Sequence, residues 1–313
     1  MKNYDKIILD MFNVYHRIIV PVDASDPVQS KVETMVEYIN NLTMTTYGDI
    51  YVLFDPLTVG KGLSKRQNIL KEYKSNRKEK LTPAEKTQQK NKREALAKLY
   101  GYLIIKGNPR IHVYMHEEYE ADDYVEKLTE TGKCLLVTTD MDWARYLEDD
   151  RVVILKEGLS PNSDKVFTIE HFIKKFGFTP TISSVTFYKA IYHSDPSDCI
   201  TGAFHNKKVI VIQEASDEMM RLIKWMGETN QPLDLMKTRF VQGIEEFLEL
   251  SNLIKLSCSD KAYEKILTLA ENNFKVIESF LPRKSKTNIE DLEVKFEKPK
   301  IAVTSKFTLN SRR

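Results

Sequence analysis

Aspartate and glutamate residues form an ordered series along this chain, and most of them directly follow a run of apolar residues. Unpaired carboxylates are costly to bury, so these acids could share a site only if cations held them together. Hard divalent cations prefer such oxygen ligands. The series therefore predicts a metal-dependent enzyme. Its nine candidate ligands are Asp10, Asp55, Glu120, Asp122, Asp123, Asp140, Asp142, Asp195 and Asp198.

Charge is distributed unevenly, although the net charge of the whole chain is only +2. Residues 61–98 contain thirteen Lys and Arg against four Glu, which gives +9. Residues 117–150 contain twelve Asp and Glu against three Lys and Arg, which gives −9. A metal-dependent enzyme acting on a polyanion would need such a pair, with cations among the acids and phosphates along the basic segment. The alternative is a solvated charged helix beside an acidic surface.

Five apolar runs predict the strands that would position the acids. Because these runs are continuous rather than alternating, they indicate a mainly parallel α/β sheet covered on both faces. Segments 28–47 and 83–106 are long enough for crossover helices. Ligands of such sheets bind beyond the carboxyl ends of the strands, where Asp10, Asp55 and Asp140 lie. The predicted strands are residues 6–10, 49–55, 111–115, 133–140 and 151–155.

The helix at 83–106 has a well-marked start. Thr82-Pro-Ala-Glu85 is a capping-box pattern with proline at the first helical position. Its first half is polar and basic, whereas Leu96, Leu99, Tyr100 and Leu103 form a stripe at helical spacing. We therefore expect the C-terminal half to dock on the core and the basic half to project outward.

Composition is that of an ordinary globular protein, 42% hydrophobic and 29% charged. Cys134, Cys199 and Cys258 are few and widely spaced, so neither a disulfide framework nor a zinc knuckle is expected. The N-terminus lacks the apolar core of a signal peptide, and no apolar run approaches ~20 residues. These features predict a cytoplasmic protein without membrane contact.

Changes in pattern along the chain predict three parts. Residues 1–166 form an α/β domain that includes a basic helical arm or arch at about 61–95. Residues 167–281 form a helical domain with a degenerate helix-hairpin element. Residues 282–313 form an extended or flexible tail.

Each acidic motif also has a structural explanation when it is taken alone. Glu120 and Asp123 would lie on one face of a helix start, where acids are favoured by the helix dipole. Asp140 and Asp142 follow a buried strand, but acids are common in turns. Asp195 and Asp198 could simply begin a helix. The motifs individually leave both explanations open.

Taken together and in order, six motifs resemble those of the 5′-nuclease family of flap endonucleases, phage 5′→3′ exonucleases and the 5′-nuclease domain of bacterial DNA polymerase I. They span residues 10–202, and beyond residue 202 the resemblance is weak. The motifs are Leu9-Asp10 with Asn13 nearby, Phe54-Asp55, Tyr73-Lys74-x-x-Arg77, Tyr119-Glu-Ala-Asp-Asp123, Thr139-Asp-Met-Asp-Trp143 and Asp195-Pro-Ser-Asp198-Cys-Ile-Thr-Gly202.

The chain departs from the family pattern at several positions. Ser194 and Cys199 stand where the family usually has Gly and Asn, and Met141 replaces a common Gly. The family's Gly-rich hairpin loop should follow Gly202, and only its first glycine is present. Lys207 and Lys208 could partly replace its grip on duplex phosphates by charge. Phage ribonucleases H of this family also tolerate a degenerate loop, which favours that branch.

The resemblance implies a PIN-like 5′-nuclease fold and a metal-dependent 5′→3′ exonuclease or flap endonuclease. Two or more Mg²⁺ ions, with Mn²⁺ as a substitute, would activate water and stabilise the leaving oxygen. The five acids up to Asp123 would serve the first metal, and the four from Asp140 the second. Lys74 and Arg77 would contact the scissile phosphate, and Tyr73 could stack on the terminal base.

The remaining basic side chains of the arm and of the degenerate loop would bind nucleic acid. The expected substrate is DNA with a 5′ end, flap or nick, with RNA–DNA hybrid as an option, in a bacterial or phage-infected cell. The tail could bind a replication protein. Two alternatives are a PIN-type ribonuclease and a non-catalytic nucleic-acid-binding protein on the same fold. The basic contacts are Lys65, Arg66, Lys71, Lys78, Lys80, Lys86, Lys90, Lys92, Arg93, Lys207 and Lys208.

Overall fold

The computed structural model describes residues 3–19, 26–57, 82–116, 120–156 and 165–188, together with Lys224 and Glu228. All of these belong to the first of two units into which the chain divides, Met1–Arg283 and Lys284–Arg313. The predicted domain boundaries therefore stay predictions. Among the described residues, no helix combines the length and the apolar character needed to cross a membrane.

The described residues form a six-stranded sheet with the strand order β3-β2-β1-β4-β5-β6. Strands β1 to β5 are parallel, and the short β6 pairs antiparallel with β5. The predicted fold class, α/β with a mainly parallel sheet, is confirmed. The strands are β1 Lys6–Asp10, β2 Asp49–Phe54, β3 Ile111–Met115, β4 Cys134–Val137, β5 Val152–Leu155 and β6 Val166–Phe167.

Helices cover the sheet because its strands are apolar on both faces. Ile7, Ile8 and Leu9 of β1 are all fully buried, although successive side chains of a strand point to opposite faces. The described helices are α1 Met11–Ile19, α2 Val28–Thr45, α3 Pro83–Lys106, α4 Asp122–Thr129, α5 Ile169–Phe176 and α6 Ile182–Phe187, with a 3₁₀-helix at Met141–Tyr146.

One face of the sheet carries the main hydrophobic cluster. It joins strand residues such as Leu9 and Val52 to Val14 of α1, Met35 of α2 and Leu99 of α3. The alternate strand positions face the other side. There α4 packs, as its Tyr124 ring lies 5.5 Å from the ring of Tyr114 in β3. Helix α4 and the acids at its start are thereby brought onto the sheet.

Helix α3 begins as predicted. The Thr82 side chain accepts a hydrogen bond from the Glu85 amide, and the Glu85 carboxylate accepts one from the Thr82 amide. Such a box satisfies backbone donors that a helix start leaves unpaired. The predicted stripe is buried with Ala95 added to it, whereas residues 82–90 are exposed. The docking of the C-terminal half is confirmed.

The strand order places a topological switch point at β1. Its neighbours are β2 on one side and β4 on the other, so the chain leaves β1 in one direction and later returns on its opposite side. The carboxyl ends of strands at such a point form a crevice suited to ligands. Asp10 ends β1, and Thr138 to Asp140 directly follow β4. The fold therefore brings two of the acidic motifs to the same crevice.

Candidate metal centre

Asp10 lies among other acids at the carboxyl end of β1. Burial is the main cause that raises its pKa, and the nearby charges of Asp55 and Asp122 raise it further, to about 7. Asp55 directly follows β2, the neighbour of β1, and Asp122 begins α4. Three acids that are far apart in sequence thus act on one another at the edge of the sheet. Negative charge collected in this way favours a divalent cation.

Hydrogen bonds hold both carboxylate oxygens of Asp10. The amide of Asn13 donates to Oδ1 at 3.1 Å, and the hydroxyl of Thr138 donates to Oδ2 at 3.0 Å. These two bonds lower the pKa of Asp10, but burial and the neighbouring acids outweigh them. The bonds fix the direction of the carboxylate.

A pair of hydrogen bonds crosses the switch point beside Asp10. The Asn13 amide group donates to the Thr139 hydroxyl at 2.6 Å, and the Thr139 backbone amide donates to Asn13 Oδ1 at 3.0 Å. Asn13 lies in α1 and Thr139 follows β4, so the pair ties the first acidic motif to the loop that carries Asp140. This explains why an asparagine stands three residues after Asp10.

Two acids near the start of α4 accept hydrogen bonds from backbone amides. Asp55 Oδ1 accepts from the Ala121 amide at 2.9 Å, and Asp123 Oδ2 accepts from the Glu120 amide at 2.8 Å. Glu120 itself is 8% exposed. The Glu-x-Asp-Asp motif therefore docks directly on the end of β2.

Trp143 joins the segment that follows Asp140 to Asp122 at the start of α4. Its ring is fully buried, and its Nε1 donates to Asp122 Oδ1 at 2.6 Å. Trp143 belongs to the 3₁₀-helix that follows Asp140, whereas Asp122 begins α4. The sequence pattern did not indicate this contact.

Asp140 and Asp142 open the 3₁₀-helix. Asp140 Oδ1 caps it by accepting from the Asp142 amide at 2.9 Å, and the Asp140 amide donates to the Thr138 hydroxyl. Asp142 lies against Arg145, with 3.7 Å between Oδ2 and Nη2. The sequence does not distinguish Arg145, because an arginine three residues after an acid fits an ordinary ion pair on a helix surface.

The donor chemistry of this site fits a hard divalent cation, because every candidate ligand in it is a carboxylate oxygen. Within the described part of the chain, however, no three His, Cys, Asp or Glu side chains are grouped as ligands of a single ion. The acids are instead neighbours linked by charge and by protein hydrogen bonds. We call the seven described acids, Asp10, Asp55, Glu120, Asp122, Asp123, Asp140 and Asp142, the acidic site.

The four predicted nucleic-acid contacts on α3 differ in their surroundings. Lys86, Lys90 and Arg93 are exposed. Lys92 packs against α1 instead: its Nζ lies 2.5 Å from His16 Nε2 and 4.6 Å from the centre of the Phe12 ring. Burial, followed by the charge of Lys92, lowers the pKa of His16 to about 4, so the ring is neutral at pH 7 and accepts from the lysine.

Several predicted site residues lie outside the described residues, and their roles stay predictions. They are the metal-ligand candidates Asp195 and Asp198, the phosphate and base contacts Tyr73, Lys74 and Arg77, and the basic side chains Lys65, Arg66, Lys71, Lys78, Lys80, Lys207 and Lys208.

Comparison with family models identifies one domain. The model of the 5′-3′ exonuclease, N-terminal resolvase-like domain matches residues 7–177. This range contains the described sheet except its first residue, Lys6, and all seven residues of the acidic site. A search of curated proteins found no significant match.

Solved structures show the same fold. The bacteriophage T5 5′-exonuclease with bound zinc aligns with a TM-score of 0.56 at 20% identity, over 88% of this chain and 89% of the other. A bacteriophage T5 flap endonuclease complex with DNA and metal ions gives 0.57 at 20% identity, over the same shares. Human GEN1 bound to Holliday junction DNA gives 0.50 at 14% identity, over 90% of this chain and 62% of the other. The predicted 5′-nuclease fold is confirmed.

Proposed function

Because this chain belongs to the 5′-3′ exonuclease family through its N-terminal resolvase-like domain, we propose that it is a metal-dependent 5′-nuclease. It hydrolyses phosphodiesters near the 5′ end of a DNA strand, as an exonuclease or a flap endonuclease. The observation that carries this proposal is the acidic site at the switch point, where Asp55 and Asp122 act electrostatically on Asp10.

The resemblance to the family divides the acids into two sets. Asp10, Asp55, Glu120, Asp122 and Asp123 would hold one Mg²⁺, and Asp140, Asp142, Asp195 and Asp198 a second. Bound in this way, such ions supply an activated water and stabilise the charge on the leaving oxygen. Mn²⁺ could replace Mg²⁺, since both accept carboxylate ligands.

The surrounding residues orient these ligands. Asn13 and Thr138 hold Asp10, and the bonds between Asn13 and Thr139 keep the Asp140 loop beside it. Trp143 holds one oxygen of Asp122. These donors limit the directions in which the acids can point when cations and substrate bind.

The basic residues would hold the nucleic acid. Lys74 and Arg77 would contact the scissile phosphate, Tyr73 would stack on the terminal base, and the exposed Lys86, Lys90 and Arg93 of α3 would bind neighbouring phosphates. This assignment rests on the resemblance of the Tyr73-Lys74-x-x-Arg77 motif and on the exposure of α3.

DNA with a 5′ flap, nick or free end is the proposed substrate. The bacteriophage T5 flap endonuclease and human GEN1, which share the fold, are recorded in complexes with DNA. RNA–DNA hybrid is a second substrate, which would suit primer removal in a replicating bacterial or phage-infected cell. A helical domain at 167–281 and a tail at 282–313 that binds a replication protein complete the proposal.

The test is a cleavage assay with end-labelled flap, nicked, blunt and RNA–DNA hybrid substrates, with Mg²⁺ present or chelated. Asp140→Asn should reduce cleavage in Mg²⁺ by about a hundredfold or more while nucleic acid still binds, because it removes a metal ligand and keeps the shape. Asp49→Asn is the matched control, since Asp49 begins β2 at the opposite end of the sheet.

Three results would refute the proposal. Turnover by Asp140→Asn at the rate of the unmodified chain would remove the acids from the reaction. Nucleic acid binding that is the same with and without Mg²⁺, together with no product from any substrate, would indicate a non-catalytic binding protein. Cleavage of RNA hairpins without any 5′-end DNA substrate being cut would indicate the PIN-type ribonuclease.

A further inference from the structure

Arg145 is a buried cation inside the acidic site. It belongs to the 3₁₀-helix Met141–Tyr146, and its side chain is only 4% exposed. A guanidinium stays charged under all ordinary conditions. Burying such a charge is costly unless opposite charges and hydrogen bonds compensate it. The surroundings of Arg145 therefore need to supply negative charge.

The contacts of Arg145 centre on Asp142. Its Nε donates to the Asp142 carbonyl oxygen at 2.7 Å, and its Nη2 lies 3.7 Å from the carboxylate Oδ2. Its Nη1 is buried and has no hydrogen-bond partner among the described residues. Protein hydrogen bonds thus satisfy only part of this guanidinium, and most of its compensation is electrostatic.

The charge of Arg145 reaches both sets of acids. Burial works to lower its pKa, but the neighbouring groups outweigh burial and raise the pKa above the ordinary value for arginine. These groups are Tyr146, Asp142, Asp122 and Asp140. Asp122 belongs to the first proposed set, and Asp140 and Asp142 belong to the second. The positive charge of the guanidinium therefore acts on the same acids that would bind a metal ion.

We propose that Arg145 is a built-in counter-cation of the acidic site, held against Asp142. This inference rests on the proposed metal-dependent function. Arg145 neutralises part of the acidic charge when no divalent cation is bound, and so allows the acids to lie together in the folded chain. The same positive charge opposes the binding of a divalent cation beside Asp140 and Asp142.

Two consequences distinguish this role from simple core packing. Loss of the guanidinium leaves excess negative charge, which destabilises the folded chain most when divalent cations are absent. Loss of the guanidinium also removes a repulsion between Arg145 and an incoming cation. A packing defect would lower stability equally with and without metal, and would leave metal affinity unchanged.

The experiment measures thermal unfolding of the full chain without nucleic acid, in EDTA and in saturating Mg²⁺. Arg145→Gln should lower the unfolding midpoint in EDTA by on the order of 5 °C. Mg²⁺ should then raise the unfolding midpoint of Arg145→Gln by more than it raises that of the unmodified chain. Arg145→Lys keeps the charge and should respond to Mg²⁺ as the unmodified chain does.

Arg110→Gln is the matched control. Arg110 is a partly buried arginine whose guanidinium donates to the carbonyl oxygens of Thr43, Thr46 and Gly48 at the opposite end of the sheet. Its loss should lower the unfolding midpoint by the same amount in EDTA and in Mg²⁺. The control therefore separates the general cost of deleting a guanidinium from the effect on the acidic site.

Metal affinity gives an independent readout. In a titration with Mn²⁺ followed by electron paramagnetic resonance, Arg145→Gln should bind the ion about tenfold more tightly, because a nearby positive charge is gone. Should Arg145→Gln fail to fold in EDTA, refolding on addition of Mg²⁺ would support the proposal, and failure to refold in Mg²⁺ would contradict it.

Equal loss of stability in both buffers together with unchanged Mn²⁺ affinity would overturn the counter-cation role. That result would leave the proposed nuclease intact if the unmodified chain still responds to Mg²⁺ and cleaves DNA. Absence of any metal response in both the unmodified chain and Arg145→Gln, with no cleavage, would overturn both.

Discussion

At the scale of single residues, opposing effects act on the pKa of Asp10. Hydrogen bonds from the Asn13 amide and the Thr138 hydroxyl favour its charged form, whereas burial and the charges of Asp55 and Asp122 favour its neutral form. Burial and the neighbouring charges have the larger effect, so the pKa of Asp10 in the folded chain is about 7. A free aspartate titrates near ~3.9.

This difference predicts a pH effect on stability without metal. Between pH ~4 and 7 the folded chain holds the Asp10 proton and the unfolded chain does not, so the free energy of unfolding falls as pH rises through this window. The unfolding midpoint in EDTA should fall by about 5 °C between pH 5 and pH 8. Asp10→Asn should flatten this profile.

Thermal unfolding at several pH values, with and without Mg²⁺, checks the prediction. Asp49→Asn serves as control and should keep the fall. A profile for Asp10→Asn as steep as that of the unmodified chain would mean that Asp10 is not the titrating group.

Trp143 gives a second prediction at this scale. Trp143→Phe keeps an aromatic ring in the core but removes the donor at 2.6 Å from Asp122 Oδ1. Hydrogen bonds to charged groups contribute about 1.5–3 kcal/mol. We therefore expect kcat in Mg²⁺ to fall about tenfold, with a smaller change in KM. A rate that falls only in proportion to the unfolded fraction would show that Trp143 acts in packing alone.

At the scale of elements, helix α3 combines a docked half with an exposed basic half. Leu96, Leu99 and Leu103 hold it on the hydrophobic cluster. Lys92 extends this docking, because its ammonium group lies over the rings of Phe12 and Tyr15 in α1 and beside His16. Helix α1 also carries Asn13, so the position of α3 is coupled to the acidic site.

Lys90 and Lys92 should therefore respond differently to the same substitution. Lys90→Met removes one exposed charge and should reduce the salt dependence of nucleic acid binding by about one unit of slope, with little change in stability. Lys92→Met keeps the apolar stem but loses the cation–ring and His16 contacts, and should lower stability more. Binding at several salt concentrations and thermal unfolding provide the two readouts.

If Lys90→Met and Lys92→Met reduce the salt dependence of nucleic acid binding equally and are equally stable, Lys92 acts only as a nucleic-acid contact. That role was the prediction from the sequence, and the contacts with α1 leave it open.

At the scale of the whole molecule, the two ends of the sheet have different roles, one in the acidic site and the other in backbone packing. The carboxyl ends of β1 and β2, together with the residues after β4, carry the acids. At the amino ends, Asp5 accepts from the Lys133 amide, and Gly48 passes close to the backbone of Tyr4. A Cβ on Gly48 would lie 2.2 Å from the Tyr4 carbonyl oxygen, so only glycine fits there.

Gly48→Ala should therefore lower stability without changing the requirement for metal. The clash is with backbone atoms, so we expect a cost of about 2 kcal/mol or more in the free energy of unfolding. The Mg²⁺ concentration that gives half-maximal cleavage, measured well below the unfolding temperature, should stay the same. A change in that concentration would mean that the two ends of the sheet are coupled.

The sequence by itself determined strands β1 to β5, their parallel arrangement and the acids that follow them, but it did not indicate the short antiparallel β6. Those features depend on local patterns: continuous apolar runs, a capping box at Thr82 and motifs such as Thr139-Asp-Met-Asp-Trp143. Local patterns are readable because the spacing of apolar residues differs between strands and helices, and because helix caps join residues close in sequence. The family could be identified on the same basis.

Only the tertiary structure decided which side chains meet. Asn13 bonds with Thr139, Trp143 with Asp122, and Lys92 packs on α1, across separations that no local pattern records. Arg145 is the clearest case. Its spacing from Asp142 suggests an exposed ion pair, but the packing of the 3₁₀-helix buries it among acids from both sets. Burial decides the strength of such charges, and burial depends on the whole fold.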